Sequence, residues 1–580
     1  MSLTKASFSM INGAPANVKD FGARGDGTGV TPADEGIDIS NASWNTWVGT
    51  QFYPGSANYS DSPFNASLGN PAGAFVPPTP VPFKNTDSWD YIGCNLALWS
   101  GGVAVYFPAG EYKITMTDIS RLTGFYFTGL FTMRGQAQNI YGDGPTITSI
   151  TSAETPAELT AVGQPNGVET FNAITFFRTA GPLRNIYMMS FGTPAGYPGG
   201  APASWTNVRM LGVCNGMTFR NMYIGGCDRG ISFSETPTPP IVNTHSDNHI
   251  LSTVFEDNLQ HSIFYNPGSR WLFVSNCNFG GGVGQAGQIH VQCAGTNDIV
   301  LVQNLFGPTN FGGGIVADSC SLVGNTVNAS SLVEFAVFTG SSNITGNYFN
   351  GTTSNNPMLR VHSDSNISDN VFEDEIGGTK PIIAIGNGSA ASATNISITS
   401  NTFIKLDTTV TADNFAIVAP QTGVSTTSAA TQSCIISNNT FEGFALTAIG
   451  SAVLTSNTFE GVFSGIQSNV VPSSNWSFSG AETNSKISIA NNATYDLAVG
   501  GGLVMITNDT SGFMGLFVAV GNGTVLVTDA PAGTNFSVTF NNAGTTNFYY
   551  NGGTARYRIQ NRTGGTVNYY VVGVKAKLTV

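Results

Sequence analysis

The feature that most constrains this chain is a short phrase that keeps returning: an asparagine, one residue, then an aromatic or apolar residue. It occurs at Asn185-Ile-Tyr187, Asn221-Met-Tyr223, Asn304-Leu-Phe306, Asn325-Thr-Val327, Asn347-Tyr-Phe349, Asn370-Val-Phe372, Asn401-Thr-Phe403, Asn439-Thr-Phe441 and Asn457-Thr-Phe459. Thr253-Val-Phe255 and Cys277-Asn-Phe279 keep the aromatic and change the polar residue. A short alternating strand precedes most copies, and a Gly or polar turn follows. A period of roughly twenty to thirty residues marks a stacked repeat. One coil cannot bury its own apolar face, whereas stacked coils can. Asn tolerates the left-handed backbone of a tight turn, and its amide can bond to the Asn above and below. Two residues later the aromatic points the same way, into the core. The pattern predicts an all-β chain folded as a right-handed parallel β-helix. Leucine-rich repeats are the rival, but Leu is sparse at the repeated positions.

Composition narrows the function classes. The 580 residues exceed what one compact core usually holds, which suits an elongated repeat. Only 10% are charged, so polarity comes from turn-forming Gly, Asn, Ser and Thr rather than from helix surfaces. The net charge of −13, with no Lys/Arg cluster, argues against nucleic acid as a partner. No apolar run is long enough to insert into a membrane. The N-terminus, MSLTKASFSMI, lacks the marks of a signal peptide. Seven cysteines are widely spaced with no CxxC pair, which reads as buried free thiols in a protein made in a reducing cytoplasm.

Four regions follow. Residues 1–32 are an N-terminal attachment segment containing the Gly-rich run NGAPANVKDFGARGDGTGVTP. Residues 33–114 are an irregular aromatic- and Pro-rich cap leading into the first coils. It ends in GGVAVYFPAGEYKI, two strands around a Pro108-Ala-Gly110 turn. Coils occupy 115–470. Residues 481–580 contain KISIA, GLVMIT, GLFVAV, TVLVT, FSVTF, NFYY, ARYRIQ and NYYVVGVKAKLTV, alternating strands that predict a C-terminal β-sandwich.

The segment NVKDFGARGDGTG (17–29), followed by GGVAVYFPAGEYKI (101–114), resembles the start of pectate-lyase-like β-helix proteins. With the leading MSLTKASFSMINGAPA, it is more narrowly similar to bacteriophage tailspike and polysaccharide-depolymerase proteins. One departure matters. The family pattern passes from GDGxTDD directly into a short helix, whereas here GDGTGVTPADE (25–35) is followed by about fifty inserted residues. A standard helical cap over the first coil is therefore not expected. The resemblance implies a homotrimer on a phage tail or baseplate, hence a virion protein. It implies a groove that binds bacterial surface polysaccharide, capsule or O-antigen, and cleaves it internally. It also implies a C-terminal sandwich used for trimerisation or glycan contact, and no cofactor.

Glycoside hydrolysis needs two carboxyl groups across the scissile bond. A lyase instead needs a base and a group that neutralises a uronate. Glu256, Glu373, Glu442 and Glu460 each directly follow the coil aromatic, which reads as a solvated turn position. Glu256-Asp257 and Glu373-Asp374-Glu375 also form local acidic pairs. The stretch HSDSNISDNVFEDE (362–375) reads as an acidic surface patch or a weak calcium site. One coil breaks the period: GGCDRGISF (225–233) is followed by the long loop SETPTPPIVNTHSDN (234–248), where the later coil crosses with NPGSR. An oversized loop can wall a groove. The first choice for acid and base is therefore Asp247 with Glu235 or Asp228, with Glu256 and Asp257 as alternatives. Arg229, His245 and Arg270 would contact substrate, and Trp271 would stack on a sugar. The competing readings are a decorative loop held by Pro237, Pro239 and Pro240, and a packed Trp271. His245-x-Asp247-x-His249 on a strand would share a face, but without further ligands it is assigned no metal. Arg24-Gly25-Asp26 belongs to the N-terminal motif. Three functions stay open: an endo-glycosidase, a polysaccharide lyase, and a non-catalytic glycan-binding spike.

Overall fold

The structure is a computed structural model. It describes residues 14–39, 83–99, 104–115, 130–132, 139–153, 171–177, 180–192, 205–211, 214–233, 245–258, 260–280, 289–293, 295, 297–307, 314–329, 335–351, 357–362, 364–374, 382–385, 395–405, 417–419, 434–442, 448–449, 452–455, 458–460, 485–497, 502–509, 511, 513–520, 523–530, 535–552 and 556–575. Two compact units divide the chain, residues 1–326 and 327–580.

The chain is a parallel β-helix. In the first unit, a coil contributes one short strand to each of three parallel sheets. One coil runs Asn215–Arg220, Tyr223–Gly225 and Arg229–Phe233 through the first, second and third sheets. The next runs Asn248–Leu251, Val254–Glu256 and His261–Tyr265, and the next Arg270–Ser275, Asn278–Phe279 and Ile289–Cys293. Pairing is in phase, so Phe219, Ile250, Val274 and Leu301 form one buried column of the first sheet. Phe255, Phe279 and Phe306 form another in the second sheet, with rings stacked 5.0 and 4.7 Å apart. The second unit repeats the device with Phe349, Phe372, Phe403 and Phe441, stacked at 4.8, 5.0 and 4.8 Å. Burying each such ring is worth about 2 kcal/mol, so the stack is a large part of what holds the coils together.

The asparagine ladder has the predicted connectivity. Asn370 Oδ1 accepts both the backbone N–H and the side-chain amide of Asn347, each at 2.9 Å. Its own Nδ2 donates to Ile344 O and to Asn401 Oδ1, each at 2.9 Å. Asn401 meets Asn439 in the same way, and in the first unit so does Asn304 with Asn325. The left-handed residue is not the asparagine, however. It is the one before it: Gln303, Asp369, Ser400 and Asn438, with φ of 54° to 58°. The asparagine therefore keeps extended geometry and turns its amide inward to satisfy the turn.

This moves two copies of the repeat. Asn221 is itself the left-handed residue and exposed, so Met222 fills the ladder position and Ile224, not Tyr223, faces the core. Asn185 and Tyr187 lie in the first sheet, on its outer face. There Asn185 Nδ2 donates to Asn139 Oδ1 at 2.9 Å, and Tyr106, Tyr141 and Tyr187 stack at 5.1 and 5.3 Å. The Arg220 guanidinium covers Tyr187 at 4.6 Å. This is a second ladder with the same spelling and the opposite facing.

The N-terminal motif is closed by a helix after all. Trp89–Trp99 follows the insertion and packs on residues 22–25. A Cβ at Gly93 would lie 2.2 Å from Ala23 N, so only glycine allows the approach. Asp90 accepts backbone N–H bonds from Arg24, Gly25 and Lys113, tying helix, motif and strand Gly110–Ile114 together. The predicted strands around the Pro108 turn are Ala104–Phe107 and Gly110–Ile114.

In the second unit, residues 485–575 form a β-sandwich of a five-stranded and a four-stranded sheet. Ile487, Val504, Phe517, Phe548, Ile559 and Tyr569 fill its core. Thr494–Leu497 is a strand not foreseen. FSVTF shrinks to Phe536–Ser537, because the Ser537 hydroxyl accepts the Thr539 N–H and turns the chain. Six cysteines are free and buried; the side chain of Cys434 lies outside the described residues. Among the described residues no helix is long and apolar enough to cross a membrane.

Candidate functional site

The predicted site residues fall at two different corners of the coil. At the turn from second to third sheet lie Asp228, Arg229, Glu256 and Asp257. At the turn from third to first sheet lie His245, Asp247, Arg270 and Trp271. Strand Arg229–Phe233 separates the corners, and its five residues span roughly 16 Å. Two carboxyl groups serving one glycosidic bond sit no more than about 10 Å apart. Asp247 and Asp228 therefore do not form a pair. Glu235 lies outside the described residues, as does most of the long loop, 234–244.

Asp228 is buried, and its carbonyl accepts the N–H groups of Gln260 and His261 at 2.9 and 3.0 Å. It holds the corner rather than facing solvent. The Arg229 guanidinium lies over the Phe264 ring at 4.4 Å. Glu256 is exposed and accepts the Tyr223 hydroxyl at 2.7 Å. Partial burial and the Glu256 carboxylate push the Tyr223 phenol up to about 12, so it stays a donor. Burial and Glu256 also raise the Asp257 carboxyl. In the second unit Tyr348 donates to Glu373 in the same one-coil-apart arrangement. A device that recurs at one rung position is a way of tethering outward Glu side chains, as the sequence periodicity implies.

At the other corner an aspartate or asparagine recurs in left-handed backbone, at Asp247, Asp298, Asp364 and Asn395, and Trp271 is the departure from it. Asn215 pairs with Ser246, Thr218 with His249, His249 with Phe273, and Leu272 with Ile299. Gly216, Asp247, Trp271 and Asp298 therefore stack in one column. All four are left-handed, with φ of 69°, 57°, 51° and 62°. The backbone is fixed from inside. Ser246 N donates to Asn215 Oδ1 at 2.8 Å, Arg270 N to His245 O at 2.8 Å, and the Tyr265 hydroxyl to Arg270 O at 2.9 Å. For a residue as bulky as Trp, this conformation costs about 1–3 kcal/mol. Trp271 is nonetheless 53% exposed, with Asp247 and Asp298 exposed on the coils to either side. Arg270 is exposed beside it, and His249 lies one column inward with its ring against Phe273 at 5.7 Å.

His245 belongs to the interior. Its Nδ1 accepts the Cys214 N–H at 3.3 Å and its ring meets Phe233 at 5.3 Å. The left-handed Asp247 interrupts the alternation, so His245 points inward while Asp247 and His249 lie outside. The three residues do not share a face. Among the described residues no group of three or more His, Cys, Asp or Glu gathers as a metal site.

Asp298 escaped the sequence reading. Its signal is an offset: Asp247, Trp271 and Asp298 each stand three residues before the core aliphatic, Ile250, Val274 and Leu301.

With this geometry in place, similarity to solved structures can be stated. The chain resembles the mannuronan C-5 epimerase AlgE6 A-module of Azotobacter vinelandii at 13% identity, over 77% of this chain and 100% of that one, with a TM-score of 0.42. It resembles the tailspike gp61 of Pseudomonas phage phi297 at 12% identity, over 97% and 99%, with a TM-score of 0.40. The catalytic domain of a GH87 α-1,3-glucanase matches at 12% identity over 63% and 64%, with a TM-score of 0.33. No protein-family profile and no curated protein matches the chain. At these identities and scores the likenesses carry no argument about chemistry.

Proposed function

We propose that this protein is a phage tailspike that binds bacterial surface polysaccharide, capsule or O-antigen, and cleaves it internally by carboxylate-mediated hydrolysis. The observation that carries the reading is the presentation of Trp271: a large aromatic held in left-handed backbone, half exposed, between two exposed aspartates. An indole face takes up the apolar C–H face of a sugar ring, and carboxylates beside it accept hydroxyl protons or transfer protons. A packed aromatic would not be kept at this exposure and at this conformational cost. The N-terminal motif and its resemblance to tailspike proteins supply the biological setting, including a homotrimeric assembly on the virion. Arg270 serves as a substrate contact from the same corner.

Purified protein incubated with a panel of bacterial capsules and O-antigens should shorten at least one, seen as a shift to lower mass in size-exclusion chromatography. Chain shortening with an ultraviolet-absorbing unsaturated uronate would replace hydrolysis by β-elimination. Binding with no shortening of any bound glycan would make the protein a receptor spike without catalysis.

A further inference from the structure

Resting on that reading, we infer that Tyr265 positions Trp271 for the glycan, through a buried polar network laid beneath this one coil. Three polar side chains interrupt the apolar interior here. Tyr265 stands in the column Phe176, Met210, Phe233, Tyr265, Cys293 and Ala317, all of them buried. Asn248 stands between Met217 and Leu272, with Ile299 next, again all buried. His245 is the third. A polar group taken out of water costs stability unless it is bonded, so each of these must find a partner.

The partner they share is the peptide that joins Arg270 to Trp271. The Tyr265 hydroxyl donates to Arg270 O at 2.9 Å, and Arg270 N donates to His245 O at 2.8 Å. The same hydroxyl accepts Asn248 Nδ2 at 3.2 Å. Asn248 Oδ1 accepts the Met217 N–H at 3.1 Å, and His245 N donates to Ser269 Oγ at 3.2 Å. Phe233 packs edge-on against the His245 and Tyr265 rings, at 5.3 and 4.7 Å. The neighbouring coils show why the clamp is there. Asp247 and Asp298 take the same left-handed backbone, yet on their coils the place of Tyr265 is held by Phe233 and Cys293. Neither carries a hydroxyl. Asp adopts this conformation readily, whereas Trp does not. A strained residue persists only where its surroundings over-determine it. The hydroxyl lies on the coil whose left-handed residue is a tryptophan. The indole is thereby presented before the sugar arrives, and less freedom is lost on binding.

The test uses the full-length protein and the polysaccharide of the panel that it binds. Tyr265→Phe removes only the hydroxyl and should lower glycan affinity about two- to tenfold, as expected for one hydrogen bond. In a Trp271→Gly background the same change should leave affinity unaltered, because glycine needs no clamp and offers no indole. Without glycan, the nanosecond anisotropy decay of Trp271, read as the difference from Trp271→Phe, should be faster in Tyr265→Phe than in wild type. Asn248→Ala should act in the same direction on both readouts. Tyr569→Phe is the control: it removes another buried hydroxyl, bonded to Thr546 at 2.9 Å in the sandwich, and should change neither. An equal loss of affinity with and without Trp271, or an unchanged decay, overturns the positioning role while leaving polysaccharide binding intact. Wild-type affinity in Trp271→Gly overturns Trp271 as a glycan contact and leaves the decay to decide whether Tyr265 holds it.

Discussion

Two corners of the same coil are built on opposite plans. At the turn from first to second sheet the backbone is left-handed and the next residue, at Asn304 and Asn325 and again from Asn347 to Asn439, is an asparagine bonded to its counterpart on the next coil. At the turn from third to first sheet the backbone is left-handed too, yet the residues are Gly216, Asp247, Trp271 and Asp298 in succession. The first corner repeats a side chain because each copy satisfies its neighbour. The second holds Asp or Asn in the left-handed position on several coils and sets one bulky exposed residue, Trp271, among them. Repetition marks what the fold needs; a departure from it, as at Trp271, marks what a ligand reads.

The contrast can be broken first at the ladder. Asn370→Leu removes four hydrogen bonds and leaves the Asn347 N–H buried without its acceptor. It should destabilise the chain by about 4 kcal/mol, measured by urea unfolding, without altering cleavage by the remaining folded protein. A loss below about 1 kcal/mol would mean that the ladder is ornamental.

The interior should also be intolerant of charge. His290 is buried against both Phe279 and Phe306, with Nε2 3.5 Å from Gly307 O. Burial holds its imidazole down to about 4, against 6.5 for the free side chain. The unfolded chain thus binds the proton more readily than the folded one between these values. Stability is full above pH 6.5 and falls as pH drops toward 4, by roughly 3 kcal/mol. His290→Gln should flatten that part of the unfolding-versus-pH curve. An unchanged slope would place the titration elsewhere.

The variable corner should behave in the reverse sense. Trp271→Gly relieves the left-handed strain and should raise stability by about 1 kcal/mol, after the greater freedom of glycine in the unfolded chain is counted. Glycan affinity should fall about tenfold, the loss of one aromatic contact. Calorimetric unfolding and glycan titration on the same sample separate the two effects. Smallest of all is Tyr348→Phe, which unties Glu373 at the surface. Stability should move by less than about 0.5 kcal/mol and activity not at all.

Much of the fold was legible because identical side chains recur at a fixed phase. The Phe349–Phe441 stack and its asparagines follow from period and alternation alone. Asn185-Ile-Tyr187 was misplaced because two ladders share one spelling and only strand pairing says which side they face. The helix Trp89–Trp99 was obscured by the insertion before it, although Asp90 and Gly93 carry the contacts that seat it on the N-terminal motif. The candidate corner is legible in part. Asp247, Arg270 and Trp271 share a corner, but His245 turns inward at a left-handed residue that alternation does not foresee. Asp298 was invisible for a related reason. On a solenoid, residues 51 positions apart can be two rungs apart, and register, not spacing, decides it.

The most direct test of the account is a crystal structure with an oligosaccharide released from the susceptible glycan. A sugar ring against the Trp271 indole, with Arg270 and the neighbouring aspartates in contact with its hydroxyl groups, is the predicted result. A chain lying instead along Glu256 and Asp257, with Trp271 bare, would contradict it.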